Sequence, residues 1–452
     1  MAPPEPHASL ARPSTAAVVP HRSVHPRRLA ALEPPPVTLG NYPLLPHSRN
    51  GYFFADFHVQ THVFPAAFPR CPSGIWSPPP LRESPEERKR RIHEVVALSS
   101  ALKEAQEQGR DSRVPLRQVY WTVANRYFRR SCPTTSGLTL VFLHGIGGHK
   151  ETWEPTLKRL LELSATGNSA FTIDEIWALE CVQHGDSGLL NEQVMGDTFD
   201  CAEYARDATN FLLSYLPECT NLAPGLLPTN LPRVPERETL QRKSNGVCGR
   251  TIVGIGHSIG ACSLVYPAVE YPALFSSLIL VESFTIPEFI KHQDAHRRNE
   301  ALSLSRRYVW SSREDAEQYL LKSPYYRDWD ARVLKKFIQY GLVDLPGGGV
   351  RTKTHPFLES LMYFERRVVY ETWELLESID PSIPMHWVWG GRSGRQGGQS
   401  VQAQTTFRRG PNSTNDYHSD VGHLFPQEAP DLLASDIHRF LLNTYRVGRS
   451  RL

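Results

Sequence analysis

The sequence lacks the long apolar run that a membrane-spanning helix requires. None of its hydrophobic stretches approaches the ~18 consecutive apolar residues that such a helix needs. It also lacks a basic stripe with interleaved aromatic residues, and a formal net charge of +3 is small for 452 residues. These absences argue against a transmembrane protein and against a nucleic-acid-binding protein.

Cysteine is sparse and follows no ligand pattern. The seven cysteines are scattered, their number is odd, and no CxxC pair occurs. This argues against a disulfide framework and against a zinc site, and it favours reduced, intracellular thiols. The start of the chain has no apolar segment of the signal-peptide type, so we expect no secretory signal. We also expect no metal and no cofactor.

A short β-branched run that begins at Thr251 ends in Gly-His-Ser-Ile-Gly at residues 256–260. This G-x-S-x-G pattern is typical of a sharp turn from a strand into a helix, which exposes a serine hydroxyl above a sheet. The residues after it, 261–271, favour a helix. The pattern therefore predicts that Ser258 is a nucleophile. The alternative is an ordinary glycine-rich helix start.

Apolar runs alternate with helical patterns along most of the chain, which indicates an α/β fold with a mostly parallel sheet and helices on both faces. Residues 1–50, rich in proline and arginine, are predicted to form a disordered tail. Residues 51–283 and 381–452 are predicted to form the core. Residues 284–380 contain no strand-like run and are predicted to form a helical lid. We expect loops at 217–249 and 392–415.

A serine hydroxyl is a weak nucleophile unless a base takes its proton and a third group orients that base. His423 follows the last predicted strand and precedes the last helix, a position from which a base can reach Ser258. His418 is the second candidate, although no strand-like run precedes it. His355 falls in the predicted lid, and His386 falls within a predicted strand.

The acid that orients such a base most often follows the strand predicted at 385–389, but the next carboxylate after this strand is Asp416. Glu282 instead lies directly at the end of the strand that follows the predicted helix 261–271. From there it could hydrogen-bond the imidazole of His423, and we predict that it does. Asp416 and Asp420 are the alternatives, and helix capping is the other role open to Glu282.

The oxyanion that forms during attack on a carbonyl needs pre-organised N–H donors. The backbone N–H of Ile259, directly after the serine, is one predicted donor. The other is the N–H of Ile146, in the His-Gly-Ile-Gly-Gly loop at 144–148 that follows a buried strand. No GK[ST] follows this glycine loop, so we expect no nucleotide phosphate site.

The motifs at 144–148, 256–260 and 422–426 together resemble the α/β-hydrolase fold family over roughly residues 52–442. Within that family the chain is similar to fungal peroxisomal hydrolases of secondary metabolism. These include an acyl-CoA hydrolase of mycophenolic acid biosynthesis, hydrolases of host-selective toxin biosynthesis and a peroxisomal lipase. In the acyl-CoA hydrolase the acid stands at the same strand end, as an aspartate where this chain has Glu282.

The resemblance implies a serine hydrolase that cleaves an ester or a thioester of a hydrophobic acyl group. Aromatic residues of the predicted lid are candidates for the acyl pocket, although plain packing is also open to them. They are Phe284, Phe289, Trp310, Tyr325, Tyr326 and Trp329. Acyl transfer by the same residues and a non-catalytic binding scaffold are the alternative functions.

The last three residues, Ser450, Arg451 and Leu452, are similar to the Ser-Lys-Leu peroxisomal address. They predict recognition by the peroxisomal import receptor and a peroxisomal location. A basic tail without an addressing role is the alternative.

Overall fold

The computed structural model describes residues 8–13, 24–74, 84–110, 112–130, 137–165, 171–218, 227–288, 293–365, 367–393 and 398–445. The strands are β1 (Asn50–Phe54), β2 (Phe57–Pro65), β3 (Arg70–Pro72), β4 (Pro115–Leu116), β5 (Trp121–Arg129), β6 (Leu138–Leu143), β7 (Ile173–Leu179), β8 (Thr251–His257), β9 (Ser277–Val281), β10 (Val309–Trp310), β11 (Leu342–Asp344), β12 (Val350–Thr352), β13 (Met385–Gly390) and β14 (Ser413–His418).

The helices are α1 (Pro85–Glu107), α2 (Glu154–Ser164), α3 (Gly185–Asn191), α4 (Ala202–Asn210), α5 (Glu236–Asn245), α6 (Ile259–Glu270), α7 (Gln293–Ser305), α8 (Arg313–Lys322), α9 (Ala331–Tyr340), α10 (Pro356–Phe364), α11 (Arg367–Leu375), α12 (Gly398–Phe407), α13 (Phe425–Glu428) and α14 (Pro430–Thr444). A π-helical turn, Phe211–Tyr215, continues α4. In the described part of the chain, no helix is both long enough and apolar enough to cross a membrane.

Nine strands form the central sheet in the order β1-β2-β5-β7-β6-β8-β9-β13-β14. The pairs from β1 to β7 are antiparallel, and those from β7 to β14 are parallel. The parallel strands therefore end at one edge of the sheet, where loops from several of them meet. This confirms the predicted fold class of a mostly parallel sheet.

The sheet is covered on both faces, as the continuous apolar run of β6 requires. Leu140 and Phe142 point into one buried apolar cluster, together with residues of α2 and α14. Val141 and Leu143 point into the other, together with residues of α6 and α11. Successive residues of β6 therefore stabilise opposite layers, and the strand cannot shift by one residue without exchanging them.

The segment between β9 and β13, which was predicted to be a lid and is called the lid below, holds helices α7 to α11. The prediction that it contains no strand is wrong, because β10, β12 and β11 form a small antiparallel sheet. These strands have two or three residues each, too few to show an alternating pattern. His355, a weighed alternative for the base, instead accepts a hydrogen bond from the N–H of Phe357 at the start of α10.

Two segments that we expected to be loops contain regular structure. Helix α5 lies within 217–249, and α12 and the first three residues of β14 lie within 392–415. The side chains that α12 buries include Gln402, Thr405 and Thr406. Burial of such polar residues leaves little hydrophobic periodicity to read, so the sequence showed only a polar, glycine-containing stretch.

The described part of residues 1–50 also departs from the expected disordered tail. Leu10 is buried in the apolar cluster that contains α6, and its N–H donates to the side chain of Asn415. The guanidinium of Arg27 pairs with Asp200 at 2.5 Å and with Glu371 at 3.0 Å. Few apolar residues are needed for such an arrangement, which explains why composition alone suggested disorder.

Candidate active site

Ser258 sits in the turn between β8 and α6 with φ of +54° and ψ of −119°. A positive φ is unfavourable for a residue with a Cβ, and such strain is typical of functional turns. The turn depends on glycine at both ends. A Cβ on Gly260 would lie 2.4 Å from the carbonyl oxygen of Leu143, and one on Gly256 would lie 2.6 Å from the backbone of Ala261.

The imidazole of His423 contacts the serine directly. Its Nε2 lies 2.9 Å from Oγ of Ser258, within hydrogen-bond distance. His423 belongs to the loop between β14 and α13. This loop is held by Glu428, whose carboxylate accepts a hydrogen bond from the N–H of Gly422 at 2.8 Å. The base loop is therefore anchored one residue before the imidazole.

Glu282 contacts the opposite side of the same imidazole. Its Oε2 lies 3.0 Å from Nδ1 of His423, and its Oε1 accepts a hydrogen bond from the N–H of Gly390 at 2.5 Å. Glu282 is fully buried and has a φ of +44°. Burial outweighs the opposing effect of the hydrogen bond from Gly390 and raises the pKa of Glu282 to about 8. The Gly390 contact was not predicted, because a backbone N–H donor leaves no residue-specific signal in the sequence.

The alternative acids and bases have other partners. The carboxylate of Asp416 contacts Nε2 of His386 at 2.9 Å. His418 contacts Asp436 at 2.7 Å, and Asp420 is exposed beside the hydroxyl of Ser419, which donates to it. Ser258, His423 and Glu282 are thus the predicted residues that the structure brings together.

The two predicted oxyanion donors flank the serine. Ile146 and Ile259 line the same cavity as Ser258. Ile259 is the first residue of α6, so its N–H has no acceptor within the helix. The loop that carries Ile146 is fixed by its neighbour Gly147, whose N–H donates to Nε2 of His184 at 3.1 Å.

The serine opens into a cavity of about 310 Å³ between the core and the lid. Its apolar lining residues are Ile146, Ile259, Phe284, Pro324, Met362, Val369 and Leu424. Of the lid aromatics, Phe284 and Tyr325 line this cavity, whereas Trp310, Tyr326 and Trp329 pack together in the lid's own apolar cluster. Phe289 lies outside the described residues. Two of the predicted aromatics therefore line the cavity, three pack within the lid, and an acyl-binding role for the two stays a prediction.

An arginine at the rim of this cavity forms ion pairs with two carboxylates. Arg392, in the loop after β13, contacts Asp328 of the lid at 3.3 Å and Glu428 of the core at 2.8 Å. The side chains of Arg392 and Asp328 are about half exposed, and an exposed ion pair is worth about 1 kcal/mol or less. Arg392 connects lid and core beside the base loop.

One buried group has the spacing of a metal site. Its members are His149, Glu151 and Glu180. The ammonium of Lys150 lies 3.3 Å from Glu151 and 3.1 Å from Glu180. A cation of the protein therefore already compensates these carboxylates. Asp186 completes the group at 2.5 Å from Lys150.

Comparison with known proteins shows which proteins this chain is similar to. The model of the alpha/beta hydrolase family matches residues 140–436. The peroxisomal membrane protein LPX1 of Saccharomyces cerevisiae is 26% identical over 356 residues, which are 74% of this chain and 82% of LPX1. The type I acyl-CoA thioesterase mpaH of Penicillium roqueforti is 25% identical over 228 residues, which are 50% of this chain and 43% of mpaH.

The solved structure of the peroxisomal alpha-beta-hydrolase Lpx1 from Saccharomyces cerevisiae superimposes with a TM-score of 0.59 at 20% identity. It covers 88% of this chain and 94% of Lpx1. This likeness shows a shared fold. The family match spans more than half of the sequence and includes Ser258, Glu282 and His423. The chain therefore belongs to the alpha/beta hydrolase family.

Proposed function

We propose that the protein is a serine hydrolase that cleaves an ester or a thioester of a hydrophobic acyl group. The observation that carries this proposal is the pair of contacts made by His423, at 2.9 Å to Ser258 and at 3.0 Å to Glu282. A nucleophile, a base and an orienting acid in this arrangement are the groups that acyl transfer requires.

In the proposed reaction, Oγ of Ser258 attacks the substrate carbonyl while Nε2 of His423 takes its proton. Glu282 accepts a hydrogen bond from Nδ1 of His423, which fixes the tautomer and stabilises the imidazolium. The N–H groups of Ile146 and Ile259 stabilise the oxyanion. His423 then returns the proton to the departing alcohol or thiol, and water releases the acid by the same steps.

The size and lining of the cavity favour an acyl group over a larger polymer. Its volume of about 310 Å³ lies at the lower end of the range typical of small-molecule pockets. The apolar residues around Ser258 favour a hydrophobic acyl chain. A thioester of coenzyme A is a natural candidate because the relative mpaH is named an acyl-CoA thioesterase.

A substrate panel tests the proposal. Wild-type protein should hydrolyse nitrophenyl esters or acyl-CoA thioesters and should be labelled covalently by a fluorophosphonate. If it neither reacts with the label nor turns over any member of the panel, the chain is a binding scaffold and the proposal is wrong. Adding an alcohol acceptor separates the remaining alternative, because an acyltransferase would form a new ester in place of the free acid.

We further propose a peroxisomal location. It is supported by residues 450–452, which lie outside the described residues, and by the similarity to LPX1, which is a peroxisomal membrane protein. A fluorescent protein fused ahead of residue 1 should colocalise with a peroxisomal marker. Removal of Leu452 should release it to the cytosol, because the import receptor reads the terminal tripeptide. Unchanged peroxisomal fluorescence without Leu452 would contradict the role of the tripeptide.

A further inference from the structure

The side chain that precedes the serine is buried among the loops of the candidate site. His257 is the last residue of β8 and is 2% exposed. Its Nε2 lies 2.8 Å from the backbone carbonyl oxygen of His423. Because a carbonyl oxygen only accepts, Nε2 of His257 must carry the proton and donate it. The strand that carries Ser258 is therefore tied to the base loop through a main-chain atom.

The other side of the His257 ring packs on the glycine loop at 144–148. A Cβ on Gly145 would lie 2.6 Å from Nδ1 of His257 and 3.0 Å from Cβ of Ser258. Those distances are too short for any side chain at position 145. The imidazole of His257 therefore connects three segments. It belongs to the end of β8, it packs against the glycine loop that contains Ile146, and it donates to the loop that contains His423.

The protonation state of His257 suits a fixed donor. Burial and, to a smaller extent, the nearby charge of His423 together lower the pKa of His257 to about 3. A neutral imidazole has one N–H, and here that N–H donates to the carbonyl of His423. The two rings lie 5.4 Å apart between centroids, so His257 does not compete for the hydrogen bond between His423 and Ser258.

We propose that His257 is a positioning residue whose Nε2–H holds the carbonyl oxygen of His423, and with it the base loop, at working distance from Ser258. The inference rests on the proposed function, since it concerns the same proton transfer. Misplacement of a reacting group by about 1 Å can cost about 100-fold in rate, so a hydrogen bond that fixes this loop matters to turnover.

A matched pair of variants tests the hydrogen bond. His257→Gln places an amide N–H near the position of Nε2, whereas His257→Met has similar length and no donor. We expect His257→Met to lower kcat by about 100-fold while KM changes less than about threefold. His257→Gln should keep kcat within about tenfold of wild type. A purely structural role would instead lower the melting temperature and leave the kcat of the folded protein unchanged.

Two results would overturn the inference. One is wild-type kcat in His257→Met, and the other is an equal loss of kcat in both variants at an unchanged melting temperature, which would assign the effect to ring packing. If His257→Met does not fold, His257→Asn takes its place. It keeps the amide but is one methylene too short, so it should lose kcat where His257→Gln retains it, and equal kcat in those two would contradict the inference.

Wild-type turnover and fluorophosphonate labelling of Ser258 are measured first, on the full chain. If both are absent, the proposed function is wrong. If both are present and His257→Met is fully active, only the inference about His257 is wrong. The two failures are therefore distinct.

Discussion

The carboxylate of Glu282 lies 3.0 Å from Nδ1 of His423, although 141 residues separate them in the chain. The contact follows from the order β9-β13-β14 in the sheet. Glu282 directly follows β9, and His423 lies in the loop after β14. Parallel strands end at the same edge, so these two segments reach the same point from either side of β13.

Replacement of the serine should remove turnover without unfolding the protein. We expect Ser258→Ala to lower kcat by about 10⁴-fold or more because the variant has no nucleophile. Ser263→Ala is the matched control, since Ser263 lies one turn further along α6 and donates to the backbone oxygen of Ile259. Its kcat should stay near wild type. Full turnover in Ser258→Ala, measured with the best substrate of the panel, would contradict the mechanism.

Replacement of the acid by its amide should produce the wrong tautomer of the base. In Glu282→Gln the amide oxygen can still accept from Gly390, so the NH₂ group faces Nδ1 of His423. Nε2 would then carry the proton and could not accept one from Ser258. We expect kcat to fall by about 10⁴-fold.

Asp416→Asn is the control for this variant, because Asp416 contacts His386 and not His423. Steady-state kinetics of both variants decide between the two candidate acids. A larger loss of kcat in Asp416→Asn than in Glu282→Gln would contradict the assignment of Glu282.

The rate should depend on pH in the alkaline range. Because burial raises the pKa of Glu282 to about 8, its carboxylate form, which stabilises the imidazolium of His423, predominates only above that pH. We therefore expect kcat/KM to rise with pH, with an apparent pKa near 8 that belongs to the Glu282–His423 pair. A pH–rate profile that is already flat from pH 6 upward would contradict this expectation.

The lid should lose stability when its buried lysine is removed. Lys353 follows β12 and lies 2.5 Å from the buried carboxylate of Asp186 in the core. In Lys353→Met the buried carboxylate of Asp186 loses one of the positive charges that neutralise it. We expect the free energy of unfolding to fall by about 3 kcal/mol. Lys335→Met, an exposed lysine on α9, is the control and should change it little. Equal denaturation midpoints for the two variants would contradict the prediction.

The fold and the three central side chains could be predicted from the sequence, two of these side chains by a strong local signal and the third by its place in the chain. Ser258 lies between glycines after a β-branched run, and Glu282 directly follows a buried strand. His423 was reached by chain order. The signals weakened where polar residues are buried, as in α12, or where strands have two or three residues, as in β10.

Contacts made through backbone atoms could not be predicted from the sequence. The N–H of Gly390 that binds Glu282 and the carbonyl of His423 that binds His257 carry no residue-specific pattern. Each arises only when loops from different strands meet at the edge of the sheet. The candidate roles of the side chains could therefore be predicted, whereas the backbone hydrogen bonds that hold these side chains in place could not.

The ion pairs of Arg27 with Asp200 and Glu371 connect the first fifty residues to the cavity beside Ser258. Glu371 belongs to α11, and the same helix supplies Val369 to the cavity wall. A protein trimmed to start at the first strand would keep every reacting group yet lose this arginine. Such trimming would remove an ion pair that holds α11 in place, so a shortened chain would have a less firmly held cavity wall at Val369 than the full sequence has.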